Sequence, residues 1–383
     1  WDNTLLHNLG MRVQQRDSKL GNDPIADEGD YSFNDGRIIT DRLDVLSELD
    51  LTYASKMGLH VSGAGWYDDA YGSQSHSNPN PPLSNIPSYP GNQYSSYTKR
   101  YYAGPSGELM DAFVFDNVQL GPVPVAVKVG RHTEYWGESL LLGGYLNSIA
   151  YAQMPIDLQK GFATPGISAK ELFRPLDNIS AQAQVTKTLS VAAQYFLEWD
   201  SDRFPEGGTY LGPVDFAFNG PSRQYLSAGL GFASRGQDDN PKNSGEYGLN
   251  ARWSPEALDG TVGFYYRRYA DKIPQVLLTK AAPGASIYNN IYADGIDLYG
   301  ISLSKQVLGT SVGAEFSYRH NTPLNTQVLG VSPTGLPPVG DTSGARGDTF
   351  HALVNVLGTI NKTALFDAAT WTTELNWNTY SKV

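Results

Sequence analysis

The sequence predicts an all-β protein: a transmembrane antiparallel β-barrel of about 14 or more strands, with one long loop folded inward. Three observations predict it. The stretch Leu109–Ser139 reads as two extended runs joined at Pro122–Pro124, with Val123, Val125, Val127 and Val129 on one face and Ala126, Lys128 and Gly130 on the other. This unit recurs along the chain, each time with a short turn at one end and a long polar loop at the other. No run approaches the roughly 20 apolar residues that a membrane-crossing helix needs.

Composition agrees with that reading and narrows the functions. The chain has 383 residues, no Cys, 24 Tyr, 7 Trp and a formal net charge of −11. A mean hydropathy of −0.36 suits a barrel, because only alternate strand residues must be apolar. The lack of Cys excludes disulfides and thiolate metal sites. The acidity excludes nucleic acid as a partner, since no basic patch is present to neutralise phosphates.

Taken in order, the strands are Asp2–Gln14, Arg42–Ala54, Leu59–Tyr67, the two in Leu109–Ser139, Ile179–Val185, Leu189–Trp199, Tyr247–Trp253, Thr261–Tyr269, Ile296–Gln306, Ser311–Arg319, Thr349–Leu357 and Ala368–Tyr380. In the second, Leu43, Val45, Leu49, Leu51 and Tyr53 alternate with Asp44, Glu48, Asp50 and Thr52. Acidic residues there are costly in a dry core and cheap in a wet lumen. Tyr225–Gly236 looks strand-like but is assigned to a loop, since counting it would put long loops on both sides. The total is odd, whereas single-chain bacterial barrels have even strand numbers. The chain is therefore expected to lack at least one strand at its C-terminus.

The whole chain, 1–383, reads as one barrel domain, with 140–176 an inward-folded partial plug bearing a short helix. That segment is apolar for a loop. Tyr145, Ile149, Tyr151, Met154, Ile156 and Phe162 are expected to form an apolar pocket in the mouth, helped by Val276–Leu278. Trp66, Tyr67, Tyr195, Trp199, Trp253, Tyr265, Tyr266, Tyr318, Trp371 and Trp377 are expected as aromatic girdles at the membrane boundaries. The inward faces give a lumen of Glu48, Asp50, Lys128, Glu198, Arg252, Arg267, Glu315 and Arg319, with Arg12, Gln182, Gln184, Gln194, Asn250, His351, Asn355 and Glu374. Cross-strand ion pairs are the expected role of these charges. Both signs are present, so no single-sign funnel is expected.

At Trp1–Asp17 and Glu108–Ser139 the chain resembles a known family. Asp111–Ala112–Phe113, followed by Gly130 and Trp136–Gly137–Glu138, resembles the signature of proteobacterial outer-membrane proteins grouped as the domain of unknown function numbered thirteen hundred and two. Gly208–Phe216 and Ser244–Trp253 are also similar. The resemblance implies a barrel in the outer membrane of a Gram-negative bacterium, bounded by outer-membrane lipid and lipopolysaccharide. It also implies genomic neighbours of two kinds, an RND-type transporter and a periplasmic carrier, and hence hydrophobic or lipid-like cargo. It implies no catalytic residue. Read from the residues, Arg131, Glu134, Trp136 and Glu138 sit where a strand reaches the outer rim, and an Arg–Glu pair there would pin the loop to the wall.

Enzymatic chemistry is not expected. Gly309–Gly313 matches G-x-S-x-G, but its serine opens a strand instead of joining a strand to a helix. The six His show no metal-ligand spacing, and no cofactor is expected. Asp200/Asp202 and Asp238/Asp239 could hold calcium, or be ordinary loop acids. Three functions follow: a channel for hydrophobic small molecules or lipid-like compounds, a polar-solute porin, or a docking or adhesion scaffold working through its long loops.

Overall fold

The computed structural model describes every residue except 22, 24, 73–87, 165, 166, 168, 228, 281–285, 325–328, 333, 343, 365 and 383. Among the described residues eighteen strands follow one another: β1 Asp2–Met11, β2 Ile38–Tyr53, β3 Met57–Asp68, β4 Ser106–Leu120, β5 Val123–His132, β6 Leu176–Gln184, β7 Leu189–Phe196, β8 Arg223–Ser227, β9 Gly231–Arg235, β10 Tyr247–Trp253, β11 Gly260–Tyr269, β12 Gln275–Lys280, β13 Ser286–Ile291, β14 Ile296–Val307, β15 Thr310–Pro323, β16 Leu329–Val331, β17 Arg346–Ile360 and β18 Ala369–Lys382. Thirteen of them form one antiparallel barrel wall, in the order β1-β2-β3-β4-β5-β6-β7-β10-β11-β14-β15-β17-β18. Every strand of the wall pairs with its neighbour in the chain, apart from short strands inserted between them. β1 and β18 are the two edges.

The alternation is clearest in the middle of the wall. Leu249, Phe264, Ile301, Phe316 and Val354 are exposed on the outer face, on successive strands. Arg267, Ser302, Glu315, Arg319, His351 and Asn355 are buried on the inner one. A continuous apolar band of this extent needs lipid against it, since soluble monomers rarely expose such a patch. Val127 and Val129 lie in an outer groove with Leu51, Leu59 and Val114, which confirms the face they were assigned. The extended run, however, stops at His132, and 133–139 already belongs to the loop.

The short connections all lie at one end, as at Tyr53–Met57 and Leu120–Val123. At the other end, three long loops join in a second, five-stranded sheet of order β16-β12-β13-β9-β8. Tyr225–Gly236 is thus not a wall strand, as expected, although it does form strands. Val276, Leu277 and Leu278, expected to help line a mouth pocket, are instead buried in that sheet, two of them packing with Phe216 and Tyr288.

The aromatic residues divide more sharply than expected. Tyr247, Tyr266, Tyr299, Tyr318 and Phe350 stack from β10 to β17, with centroids 5.2–6.3 Å apart. Tyr67, Tyr195, Trp253, Trp371 and Trp377 are exposed. Trp66, Trp199 and Tyr265 are instead buried. Trp66 donates its indole N–H to the Arg100 carbonyl at 2.8 Å, and Tyr265 shares the inner face with Arg267.

Lipid contact on one face makes charge placement asymmetric. Leu249→Arg should destabilise the folded protein in bilayers by about 2–4 kcal/mol if it lies near the midplane, whereas inward Gln182→Arg should be nearly neutral. Urea unfolding in lipid vesicles reads the difference.

Candidate functional site

The segment between β5 and β6 enters the barrel and meets most of its wall. Its backbone answers several of the charges there. The Glu315 carboxylate accepts the amide N–H groups of Glu138, Ser139 (3.0 Å) and Ile149 (2.6 Å). Glu374 accepts that of Leu140 at 2.8 Å. Arg267 donates to the carbonyls of Ile149 and Tyr151 at 2.8 and 2.7 Å. Arg319 donates to those of Leu146 and Ser148 at 2.9 and 3.1 Å. These four wall residues, predicted to pair across strands, therefore bind the loop instead. A segment without regular structure carries unmet backbone groups, and a charged partner satisfies them more strongly than a neutral one.

Side chains complete the attachment. Gln153 donates to Gln194 at 2.9 Å and accepts the Trp136 amide at 3.0 Å. Asn147 meets both His351 and Asn378 at 3.0 Å. Tyr151 donates to Asp271 at 2.5 Å, and its ring lies under Arg319, 4.3 Å away. Asp157 caps the helix Leu158–Ala163 and pairs with Arg203 at 3.0 Å; Arg203 also reaches Glu108 at 2.8 Å. Thr164 faces Asp44, which Arg42 grips with two bonds of 2.9 and 3.0 Å.

The expected mouth pocket is filled. Tyr145, Ile149, Tyr151, Met154 and Ile156 are at most 7% exposed, and most of them pack with Trp136, Tyr265 and Leu298 in one core. Their apolar faces are used to seat the loop. Phe162 differs: it is 54% exposed and lines a separate cavity.

The rim motif also differs in its pairing. Arg131 binds Glu198 through 2.5 and 2.7 Å contacts and the Pro175 carbonyl at 2.9 Å, not Glu134 or Glu138. Glu198, expected in the lumen, lies beyond the end of β7 in this cluster. Glu134 is held by Lys128 at 3.0 Å. Glu138 accepts from Ser302 at 3.2 Å, and Arg252 acts on it electrostatically. The two basic residues of β5 thus hold both ends of the loop, one through Glu134 and one through Pro175. Trp136 packs over Gly248, where a side chain would collide with the indole.

Glu48 and Asp50 remain on the inner face of β2, and Asp50 meets His60 at 2.6 Å. Arg12, also expected in the lumen, instead donates to the carbonyls of Gln14, Asp30 and Phe33 in the outer loops. Ser311 opens β15 and no helix follows, so the strand–turn–helix of a nucleophile elbow is not formed there. Three of the four loop acids proposed for calcium are engaged, Asp200 with Arg174, Asp202 with the Ile156 amide at 2.8 Å and Asp238 with Arg235 at 2.6 Å, whereas Oδ2 of Asp239 is buried without a hydrogen-bond partner. Among the described residues no group of three metal-binding side chains occurs. His76 lies outside the described residues.

Residues missed at the sequence level include Arg42, Asn147 and Gln153. Arg42 shares the parity of Asp44 and was readable; nothing in the pattern distinguishes the other two from surface amides.

Burial raises several acids of the long loops, Asp202 and Glu206 among them. Asp202 is pushed up to about 7, with the Ile156 amide pulling the other way. Glu206 is pushed up to about 8, against the amides of Gly220 and Asn219.

Two expectations follow. Glu315→Leu leaves three buried amides without an acceptor, a loss of about 3 kcal/mol or more; Glu315→Gln keeps an acceptor oxygen and should lose less. Hydrogen exchange at residues 138, 139 and 149 reports it. Glu206 binds a proton more tightly when folded than unfolded, so its contribution is full below about pH 4.5 and falls as pH rises through about 8. Limited proteolysis of the outer loops should quicken between pH 6 and pH 9 (about neutral to mildly basic), and Glu206→Gln should flatten that dependence.

No curated protein matches the sequence. Among solved structures, the outer membrane channel DcaP of Acinetobacter baumannii aligns with 99% of this chain and 79% of its own, at 10% identity and a TM-score of 0.35. A BenF-like porin from Pseudomonas fluorescens Pf-5 aligns with 99% of this chain and 94% of its own, at 8% identity and a TM-score of 0.35. A family model described as "Protein of unknown function (DUF1302)" matches residues 1–383, and the chain belongs to that family.

Proposed function

We propose that this chain is an outer-membrane channel for hydrophobic small molecules or lipid-like compounds. One observation carries the reading: the barrel mouth is occupied by a loop with an apolar core, and the charges that would line an aqueous pore there are bonded to that loop's backbone. Ions passing this level would find Arg267, Arg319 and Glu315 already engaged by the loop backbone. Apolar solutes need no such groups.

A polar-solute porin is the second reading, and the turn-side half of the lumen favours it. There the Asp50 side chain is 67% exposed, and Lys128, nearer the loop beside Glu134, is 41% exposed. Asp50 gives the lower lumen a charged, solvent-accessible lining.

Conductance separates the two. In planar bilayers the intact protein should pass little ion current, and removing residues 142–156 should raise it at least tenfold. In lipopolysaccharide-containing liposomes loaded with cyclodextrin, the protein should speed entry of an apolar dye. Large single-channel conductance in the intact protein, without faster dye entry, would replace this reading with the porin.

A further inference from the structure

A cavity of about 150 Å³ lies between the loop-side end of β1–β2 and the helix Leu158–Ala163. Small residues keep it open. A Cβ on Gly10 would come within 2.8 Å of the Thr40 methyl, and Ala163 faces it from the helix. Phe162 and Leu211 line it while 54% and 50% exposed.

Each buried polar side chain in its wall has a hydrogen-bond partner within the protein, Tyr71 accepting from the Tyr210 amide. Arg42 is engaged by Asp44 and the Tyr101 carbonyl. Asp68 accepts from Thr40 and from the amides of Asp41 and Ala70. Tyr102 accepts from the Glu206 amide and from Thr209, and Gln159 donates to the Tyr101 carbonyl. A site whose polar groups are already paired rejects ligands that need hydrogen bonds and accepts those that need none. Apolar cavities of roughly this size hold one benzene-sized ring.

We propose that this cavity binds a single apolar ring or a short hydrocarbon segment. Its role as an entry site rests on the channel reading above; binding itself does not. Leu9 and Met11, either side of Gly10, are 65% and 56% exposed on the outer face. The cavity and the outer, lipid-directed face therefore lie on opposite sides of one strand.

The test is photolabelling of the full chain in liposomes with a phenyl diazirine. Label is expected on Phe162 or Tyr210, and excess toluene should remove it. Ala163→Leu, which fills the cavity, should lower that label at least fivefold while lipid-face label on Leu249 stays constant. Phe162→Ala, which leaves the helix register alone, should shift the label to Tyr210. Competition by toluene identifies a free ring as the ligand; competition only by added phospholipid identifies an acyl chain. Label on Tyr210 unchanged by Ala163→Leu, or absent in both proteins, overturns the site. Normal dye entry with Ala163→Leu removes the site from the route but leaves binding standing. Absent dye entry in the unmodified protein, with the label present, overturns the channel reading alone.

Discussion

The arrangement rests on a match between charged wall residues and an irregular backbone. A loop drawn into a barrel carries amides and carbonyls that water no longer reaches, and each such group left unpaired costs about 1–3 kcal/mol. Glu315 answers three amides, and Arg267 and Arg319 answer two carbonyls each. The same bonds neutralise the opposite problem, since the three charges lie buried in the wall. Neither the loop nor the lumen is stable in this form without the other.

Local chemistry makes that close approach possible. A side chain on Gly137 would strike the Glu315 carboxylate, and one on Gly144 would strike that of Glu374. Gly137 also has a φ of 101°, which favours glycine over other residues. The Trp-Gly-Glu motif is therefore read as a seat: the indole fits over Gly248, the glycine admits a carboxylate, and the glutamate meets Ser302.

The wall was legible because a period of two is written into each strand. Leu43, Val45 and Leu49 against Asp44 and Glu48 specify both faces and, with them, a wet interior. What the pattern could not convey was the partner of each inward charge. Glu315 and Arg319 alternate alike whether they bind a neighbouring strand or a distant loop, because periodicity records a face and not a contact. The mouth residues show the same limit. Tyr145, Ile149 and Ile156 signalled an apolar interior, but an empty pocket and a packed core have one composition. Trp66 and Trp199 were placed by residue type in a membrane belt, and burial against Arg42 and Tyr292 prevailed over that preference. The second sheet was hidden because its strands are short and two of its four pairings are parallel between distant loops.

That second sheet changes how the exterior can vary. Surface loops ordinarily tolerate insertions because each is a separate excursion from a rigid frame. Here β9, β12, β13 and β16 come from three different excursions and share one ladder, with Leu277 and Tyr288 wholly enclosed. The variability of such a cap is then limited as a core is limited, and length changes in one excursion propagate to the other two. The permissive places for an inserted tag move to the opposite rim, at turns such as Ser254–Asp259, most of whose residues are exposed.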